Sequence, residues 1–451
     1  MELGTRIPKS KTKICGVKVT LRFDQSKNMA SSSSSSSTSP TIEDVLSTLR
    51  EGRNLFLTGP GGVGKSYFVK KVKEAFPDNT FVTSTTGVSS FNLSGRTIHS
   101  FAGIGALKRS DDISTVLKRV RKNQANVERW KGCELLIIDE ISMLGAHTLN
   151  ILDQLARAFR QPDRAFGGIQ VLFTGDFLQL PPIDDEFAFT SPVWETLRLH
   201  TIYLTKMYRS VDPVLTELLS RVRVSQPLPE DHVTLFGRVQ AYKRWNERKE
   251  REEKEEKEDD FTILPTFLYS RRANVNDQNR EELQKNPNEE RCYDAKFYDI
   301  KKQVIFKPSD ALRLKVGAQV MLTINLDVDA GLVNGSRGVV IGMTADDVTV
   351  RFLDGRDMVL ERFEYAVEEN GKVAYFVHQF PLILAYALSI HKVQGCTLDY
   401  AVMDLGYTVF ENSMIYVALS RIRSLEGLFL MAYQPHRIKC HPEALAFYES
   451  L

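Results

Sequence analysis

Residues 59–66 read GPGGVGKS, a glycine-rich run ending in a lysine and a hydroxyl. The pattern GxxxxGK[ST] suits phosphate binding. Gly59, Pro60, Gly61, Gly62, Val63 and Gly64 would let successive backbone N–H groups wrap an anion. Lys65 would neutralise the β- and γ-phosphates of ATP, and the Ser66 hydroxyl would hold Mg2+. The run follows the strand-like NLFLTG (54–59) and precedes the helix-like YFVKKVKEAF (67–76). That context sets the phosphates on a helix N-terminus, where the backbone dipoles favour negative charge.

A phosphate cleaver also needs a carboxylate for the metal and a group that positions water. Asp139 and Glu140 end the apolar run CELLII and fit those two roles, in that order. Gln179 in TGDFLQLPP (174–182) follows another strand-like run and is placed to sense a γ-phosphate or to position water. Charge on a transferring phosphoryl group needs cationic partners, often supplied across an interface. Arg209 in KMYRS and Arg421 in YVALSR are the candidates. For a nucleic-acid strand the candidates are TTGVSSFNLSGRTIHSF (85–101) and HKVQGCT (391–397). Their hydroxyls, glycines, histidines and lysine suit backbone phosphate contacts, which position a strand without reading its sequence. Phe101 or Tyr208 could offer a face on which a base stacks.

These residues need elements to hold them. Apolar runs at 54–59, 80–85, 134–139, 169–175 and 261–270 alternate with helical stretches such as 146–159, where Leu149, Leu152, Leu155, Ala156 and Phe159 share a face. Such alternation argues for an α/β protein with parallel sheets covered by helices. Residues 316–378 differ in texture: short strands with Asp354-Gly355 and Asn370-Gly371 as hairpin turns, the pattern of a small β-barrel inserted in a second lobe. The chain divides into a tail (1–40), a first lobe with the P-loop (41–204), the first part of a second lobe (205–315), the barrel (316–378) and the rest of the second lobe (379–451). Residues 243–260 are nearly all charged and read as a solvated helix or spacer. The tail is basic, carries seven serines at 31–37 and is expected to be disordered.

In order and spacing these motifs resemble the petite-integration-frequency family, superfamily 1B helicases that move 5′→3′ on single-stranded DNA. The similarity covers roughly residues 42–435. TGVSSFNLSGRTIHSFAGIG (86–105), IIDEISML (137–144), HTLNILDQLARAFRQPDRAFGGIQ (147–170), GDFLQLPP (175–182), KMYRS, TFLYSRRANVNDQN (266–279), SIHKVQGCTLDYAVMDL (389–405) and YVALSRIRSLEGL (416–428) carry it. The resemblance implies two RecA-like P-loop NTPase lobes with a small β-barrel inserted in the second. It implies an ATP site of Lys65, Ser66, Asp139, Glu140, Gln179, Arg209 and Arg421. It also implies strand contacts from Thr86, His99, His391, Lys392 and Thr397, and a further DNA-facing element at 147–170. Relatives carry an adenine-reading glutamine upstream of the P-loop, and this chain has Ile42 near that position.

Composition bounds the reading. The 451 residues are 42% hydrophobic and 26% charged, with a net charge of +2, so any basic channel is balanced by acid elsewhere. The five cysteines have no metal or redox spacing. No apolar run is long enough to span a membrane, and the N-terminus lacks a secretory core. The expectation is an intracellular monomer, in the nucleus or mitochondrion of a eukaryote, using ATP and Mg2+. Its partners would be single-stranded and forked duplex DNA, with RNA–DNA hybrids or G-quadruplexes as further substrates.

Overall fold

The computed structural model describes residues 39–85, 93, 95–105, 107, 109–252, 265–306, 311–324, 326, 332, 335–369 and 372–451. The tail 1–38, Thr86, the end of the charged stretch (253–260) and the Asn370-Gly371 turn lie outside the described residues.

Helix α1 (Ile42–Arg50) opens on a reciprocal cap. The Thr41 hydroxyl accepts from Asp44 N, and the Asp44 carboxylate accepts from Thr41 N at 2.6 Å. This satisfies two donors that a helix start leaves unpaired. The first lobe then builds six strands: β1 (Leu55–Thr58), β2 (Thr80–Ser84), β3 (Arg96–Thr97), β4 (Leu135–Asp139), β5 (Gln170–Gly175) and β6 (His200–Tyr203). Their order is β3-β2-β4-β5-β1-β6, and every ladder is parallel. Strands β1 and β4 are buried on both faces, which is why they read as unbroken apolar runs. Alternate residues feed two cores. Leu55, Leu57, Leu135 and Ile137 face one with Val69 and Val72 of helix α2 (Lys65–Ala75). Phe56, Leu136, Ile138 and Phe173 face the other. A parallel sheet gathers the C-terminal ends of its strands at one edge. Gly59, Thr85, Glu140 and Asp176 each follow such an end.

The helical segment expected at 146–159 is helix Ala146–Phe159. Its Asp153 is buried and accepts from Phe166 N at 2.6 Å and from Arg157 Nε at 2.6 Å. That carboxylate pins a turn whose Phe166 and Gly167 both have positive φ. A side chain at Gly167 would meet Ala156 O at 2.3 Å.

The second lobe centres on a parallel sheet of four strands, in the order Ala387–Ser389, Thr266–Tyr269, Ala401–Leu405, Leu428–Tyr433. Helix Pro229–Glu252 lies against it. The charged stretch therefore begins as part of this helix, and Trp245 packs on Phe429 with ring centroids 5.8 Å apart. Between the lobe's strands comes a β-rich insertion. Asp357–Leu360, Val348–Phe352, Arg337–Met343, Gln319–Leu322 and Leu382–Leu384 form one antiparallel sheet around Val320, Val340, Val350 and Phe352. Gly355 turns its hairpin with φ +83°. A second antiparallel sheet pairs Val304–Ile305, Lys296–Asp299, Lys372–Gln379 and Phe363–Glu369. Strand pairing starts at Arg291–Tyr293, well before residue 316. Those first strands are two to four residues long, too short to show alternation.

The last helix, Pro442–Ser450, leaves the second lobe and packs into the first. Phe447 stacks on Phe189 at 4.4 Å and meets Phe177 at 5.3 Å, and Ala444 is fully buried in the same core. The sequence places 379–451 in the second lobe because an apolar helix face does not say which lobe covers it.

Replacing Asp153 with alanine would leave the buried Phe166 N–H without its acceptor, a loss of about 1–3 kcal/mol. Urea unfolding of Asp153→Ala should show that loss, and an unchanged midpoint would mean that the carboxylate does not hold the turn.

Candidate nucleotide site between the lobes

The P-loop is fixed by its glycines. Gly59, Gly62 and Gly64 have φ of +145°, +94° and +88°. A Cβ at Gly59 would sit 2.3 Å from Leu204 O, and one at Gly62 would sit 2.7 Å from Arg209 Cβ. Gly64 caps α2, so the helix N-terminus points its free N–H groups into the loop. Lys65 Nζ donates to Gly59 O (2.7 Å) and Pro60 O (2.9 Å). Burial lowers its pKa, and the carboxylates of Asp176, Glu140 and Asp139 oppose that fall.

Beside the loop stand the strand-end acids. Asp139 is buried at the end of β4. Glu140 has φ +53°, a left-handed conformation that is costly for a residue with a Cβ. Thr85 Oγ1 donates to its carbonyl at 2.9 Å. Its carboxylate accepts from Gln394 Nε2 of the second lobe at 3.0 Å. Gln179 is buried, and its Oε1 has no hydrogen-bond partner among the described residues. Its neighbour Asp176 is fully buried. Burial opposes ionisation there, but the Arg223 guanidinium outweighs it, through 2.7 and 3.1 Å bonds, and holds the carboxyl below its ordinary range.

The second lobe supplies the cations. Arg421 is 1% exposed, donating to Val417 O and Ser420 Oγ at 2.9 and 2.7 Å. Its NH2 lies 3.2 Å from where a Gly61 side chain would begin. Arg209 donates to Ser420 O at 2.8 Å. Burial, then the adjacent Arg421 guanidinium, lowers the Arg209 pKa; burial likewise lowers that of Arg421. Tyr416, also from the second lobe, accepts from Gly61 N at 2.9 Å.

One cavity of about 400 Å³ is lined by Gly61, Gly62, Gly64, Lys65, Ser66, Asp139, Glu140, Gln179, Arg209 and Arg421. Seven side chains expected in an ATP site thus meet in one cleft between the lobes. Gly59, Pro60 and Val63 belong to the loop without lining the cleft; Val63 is 1% exposed and packs in the core beneath. Tyr208 also lines the cleft, 61% exposed, with its backbone N bonded to Gly62 O at 2.9 Å. Asp176, Arg223, Gln394 and Tyr416 were missed from sequence. Asp176, Gln394 and Tyr416 fall inside the motifs named above and carry a local signal, whereas nothing local marks Arg223.

The expected strand contacts are more dispersed. Thr86 is not among the described residues. Thr397 lines the nucleotide cleft with Gly395 and Arg423. His99 rides helix Ile98–Ala102, which Thr97 caps, and burial lowers its pKa. His391 stacks on Phe410 at 6.2 Å, and Lys392 is exposed next to it. Partial desolvation lowers the pKa of both; Glu411 opposes the fall at His391, and the Arg272 guanidinium adds to it at both. Phe101 is no stacking platform: it is fully buried against Trp130 and Phe81. Phe410, 55% exposed with Arg271 5.8 Å from its ring, has the open face that Phe101 lacks.

Residues 36–220 match the family model of PIF1-like helicases, and residues 302–343 match that of the 2B domain of DNA helicase Pif1. The crystal structure of Pif1 helicase from Candida albicans is 32% identical and superposes with a TM-score of 0.76, covering 91% of this chain and 98% of that one. The chain belongs to the Pif1 helicase family. A Pif1 helicase from Bacteroides, solved in complex with ADP-AlF3 and single-stranded DNA, is 27% identical with a TM-score of 0.66, over 91% of this chain and 96% of that one. The ATP-dependent DNA helicase PIF1 of Xenopus laevis is 38% identical over 424 residues, 90% of this chain. The chain spans 63% of the length of that relative. The Pif1-family 2B match falls in the β-rich insertion.

Two guanidiniums forced together in a buried cleft favour a polyanion, so a non-hydrolysable ATP analogue should raise the melting temperature. The gain is about 2.7 kcal/mol at a hundred times Kd. Arg209→Gln should leave the ligand-free melting temperature little changed and lose most of the ligand-induced rise. A full rise in the variant would remove Arg209 from the site.

Proposed function

We propose that this chain is an ATP-dependent DNA helicase that translocates 5′→3′ along single-stranded DNA and unwinds duplexes ahead of it. The observation that carries this reading is the division of one cleft between two lobes. Gly61, Lys65, Ser66, Asp139, Glu140 and Gln179 come from the first lobe, Arg209 from the segment leading to the second, and Arg421 from the second itself. A nucleotide held there touches both lobes, so its binding and cleavage would change their spacing.

On this reading Lys65 exchanges its two P-loop carbonyls for phosphate oxygens. Ser66 and Asp139 would hold Mg2+, which would neutralise charge on the phosphates. The pair fits that role: a hydroxyl at the helix start and a carboxylate at a strand end, lining one cleft. Glu140 orients the attacking water, and Gln394 ties it to the second lobe. Gln179 turns its unpartnered Oε1 toward that water. Arg209 and Arg421 stabilise the charge that spreads over the transferring phosphoryl group. Tyr208 presents a ring beside the P-loop, on which a nucleotide base can stack. Stacking tolerates any base, which suits a chain with Ile42 where relatives read adenine.

The strand would run past His99, His391, Lys392 and Phe410, with Thr86 as a further backbone contact, whereas Thr397 lines the nucleotide cleft. Burial keeps both imidazoles neutral near pH 7, so they serve as hydrogen-bond partners rather than charges. Single-stranded and forked DNA are the proposed substrates, with RNA–DNA hybrids and G-quadruplexes as further ones. The proposed working unit is a monomer, acting in replication, repair, recombination or telomere maintenance, and in a eukaryote in the nucleus or mitochondrion. No helix among the described residues is long and apolar enough to cross a membrane.

The test is ATP hydrolysis with and without a single-stranded DNA oligonucleotide, followed by unwinding of duplexes bearing a 5′ or a 3′ tail. DNA should stimulate hydrolysis strongly, Lys65→Ala should abolish it, and Arg421→Ala should lower kcat by about a thousandfold or more. Unwinding from a 3′ tail alone would overturn the polarity, and hydrolysis indifferent to DNA but raised by RNA would move the substrate to RNA.

A further inference from the structure

The C-terminal helix sends one polar group into the first lobe, and that group reaches the back of the nucleotide site. Tyr448 Oη accepts from Phe177 N at 3.1 Å and lies 2.5 Å from Thr58 Oγ1. Thr58 Oγ1 already gives its hydrogen to Gly175 O at 2.9 Å. Each hydroxyl carries one hydrogen, and that of Tyr448 goes to Thr58 at 2.5 Å in preference to Asp176 Oδ1 at 3.4 Å. The bonds form one directed chain: Phe177 N–H to Tyr448, Tyr448 to Thr58, Thr58 to Gly175. Thr58 is the last residue of β1, immediately before the P-loop. Gly175 and Phe177 flank Asp176, and Gln179 hangs from the turn they start, its N bonded to Asp176 O at 2.9 Å. Above the Tyr448 ring, at 5.0 Å, lies the Arg223 guanidinium that holds Asp176.

We propose that Tyr448 is a positioning residue for nucleotide hydrolysis, fixing the spacing between the P-loop and the turn that carries Gln179. This rests on the ATPase reading above. The neighbouring Phe447 and Ala444 seat the helix in the core and suffice for its docking. A phenylalanine at 448 would fill the same space. What the hydroxyl adds is a bond between the two loops that must face the same phosphate. It also joins the chain segment leaving the second lobe to the first lobe's catalytic turn, so strain from lobe movement arrives at Gln179 without passing through the nucleotide.

The experiment is steady-state ATP hydrolysis, saturated with single-stranded DNA, by the full chain and by Tyr448→Phe, Gln179→Ala and the double variant. Tyr448→Phe should lower kcat by about tenfold to a hundredfold, the cost of a small misplacement at a reacting centre. KM for ATP should move by less than about twofold, because ground-state contacts are kept. In the Gln179→Ala background the second substitution should cost nothing more, since the group it positions is gone. Thr58→Val cuts the same chain from the strand side and should reproduce the kcat loss. A kcat for Tyr448→Phe equal to that of the full chain, or losses that multiply in the double variant, would overturn the proposal. Absence of hydrolysis by the full chain itself would instead overturn the ATPase reading.

Discussion

The Asp176 carboxylate is buried where the two lobes and the C-terminal helix come together, and the nucleotide site is arranged around it. A lone carboxylate so placed would be strongly destabilising. Arg223, itself buried with its guanidinium over the rings of Tyr203 and Tyr448, meets it with a two-pronged bond. Leu178 N adds a third donor at 3.1 Å. Breaking such a pair by removing one partner leaves an uncompensated buried charge, typically worth 3–5 kcal/mol. The pair fixes more than stability. Asp176 starts the turn that carries Gln179, and Arg223 ends the first helix after the lobe connection, Pro213–Arg223. Tyr416 reaches it from the second lobe at 3.4 Å while accepting from the P-loop. One ion pair therefore registers both lobes against the same turn.

Legibility from sequence followed how local each feature is. The P-loop, the Asp139-Glu140 pair and the TGDFLQLPP turn are short runs whose chemistry depends on neighbours a few residues away. The cleft unites them as expected. The first-lobe sheet was equally legible, because strands buried on both faces must be apolar throughout and helix Ala146–Phe159 must show a 3.6-residue period. Arg223 and Tyr448 were not legible, because their partner Asp176 lies 47 and 272 residues from them in the chain. No local pattern distinguishes an arginine at a helix end that meets water from one that meets a buried acid.

The aromatic residues make the same point from the other side. Phe101 and Phe410 are alike in type, and each sits near a histidine that suits a strand contact. Packing decides between them. Phe101 falls on the inner face of helix Ile98–Ala102, under Trp130, and Phe410 lies in a loop with Arg271 beside its ring. The family resemblance could mark the segments but not the exposure of a ring within them. The insertion is a similar case: a later hairpin announces itself by Asp354-Gly355, while the first strands are too short to show a pattern, and Arg291–Tyr293 and Lys296–Asp299 also pair with strands far along the chain.

The cleft's electrostatics bear on how such a site couples chemistry to motion. Lys65, Arg209 and Arg421 converge on one space, and desolvation depresses the pKa of each. Bringing the lobes together without an anion concentrates these charges; bringing them together around a triphosphate relieves them. A ligand shifts a conformational equilibrium only by its differential affinity for the two states. On the ATPase reading that difference would have a physical source, because Arg421 lines the cleft from the second lobe. Loss of the γ-phosphate would then remove charge where Arg421 and Gln179 line the cleft, and would weaken the closed arrangement first at the lobe boundary. The Glu140–Gln394 bond stands at that boundary too, linking the water-positioning carboxylate to the segment that carries His391 and Lys392. Two residues separate Gln394, which binds Glu140, from His391, the histidine expected to touch the strand. Over so short a span the two sites cannot move independently.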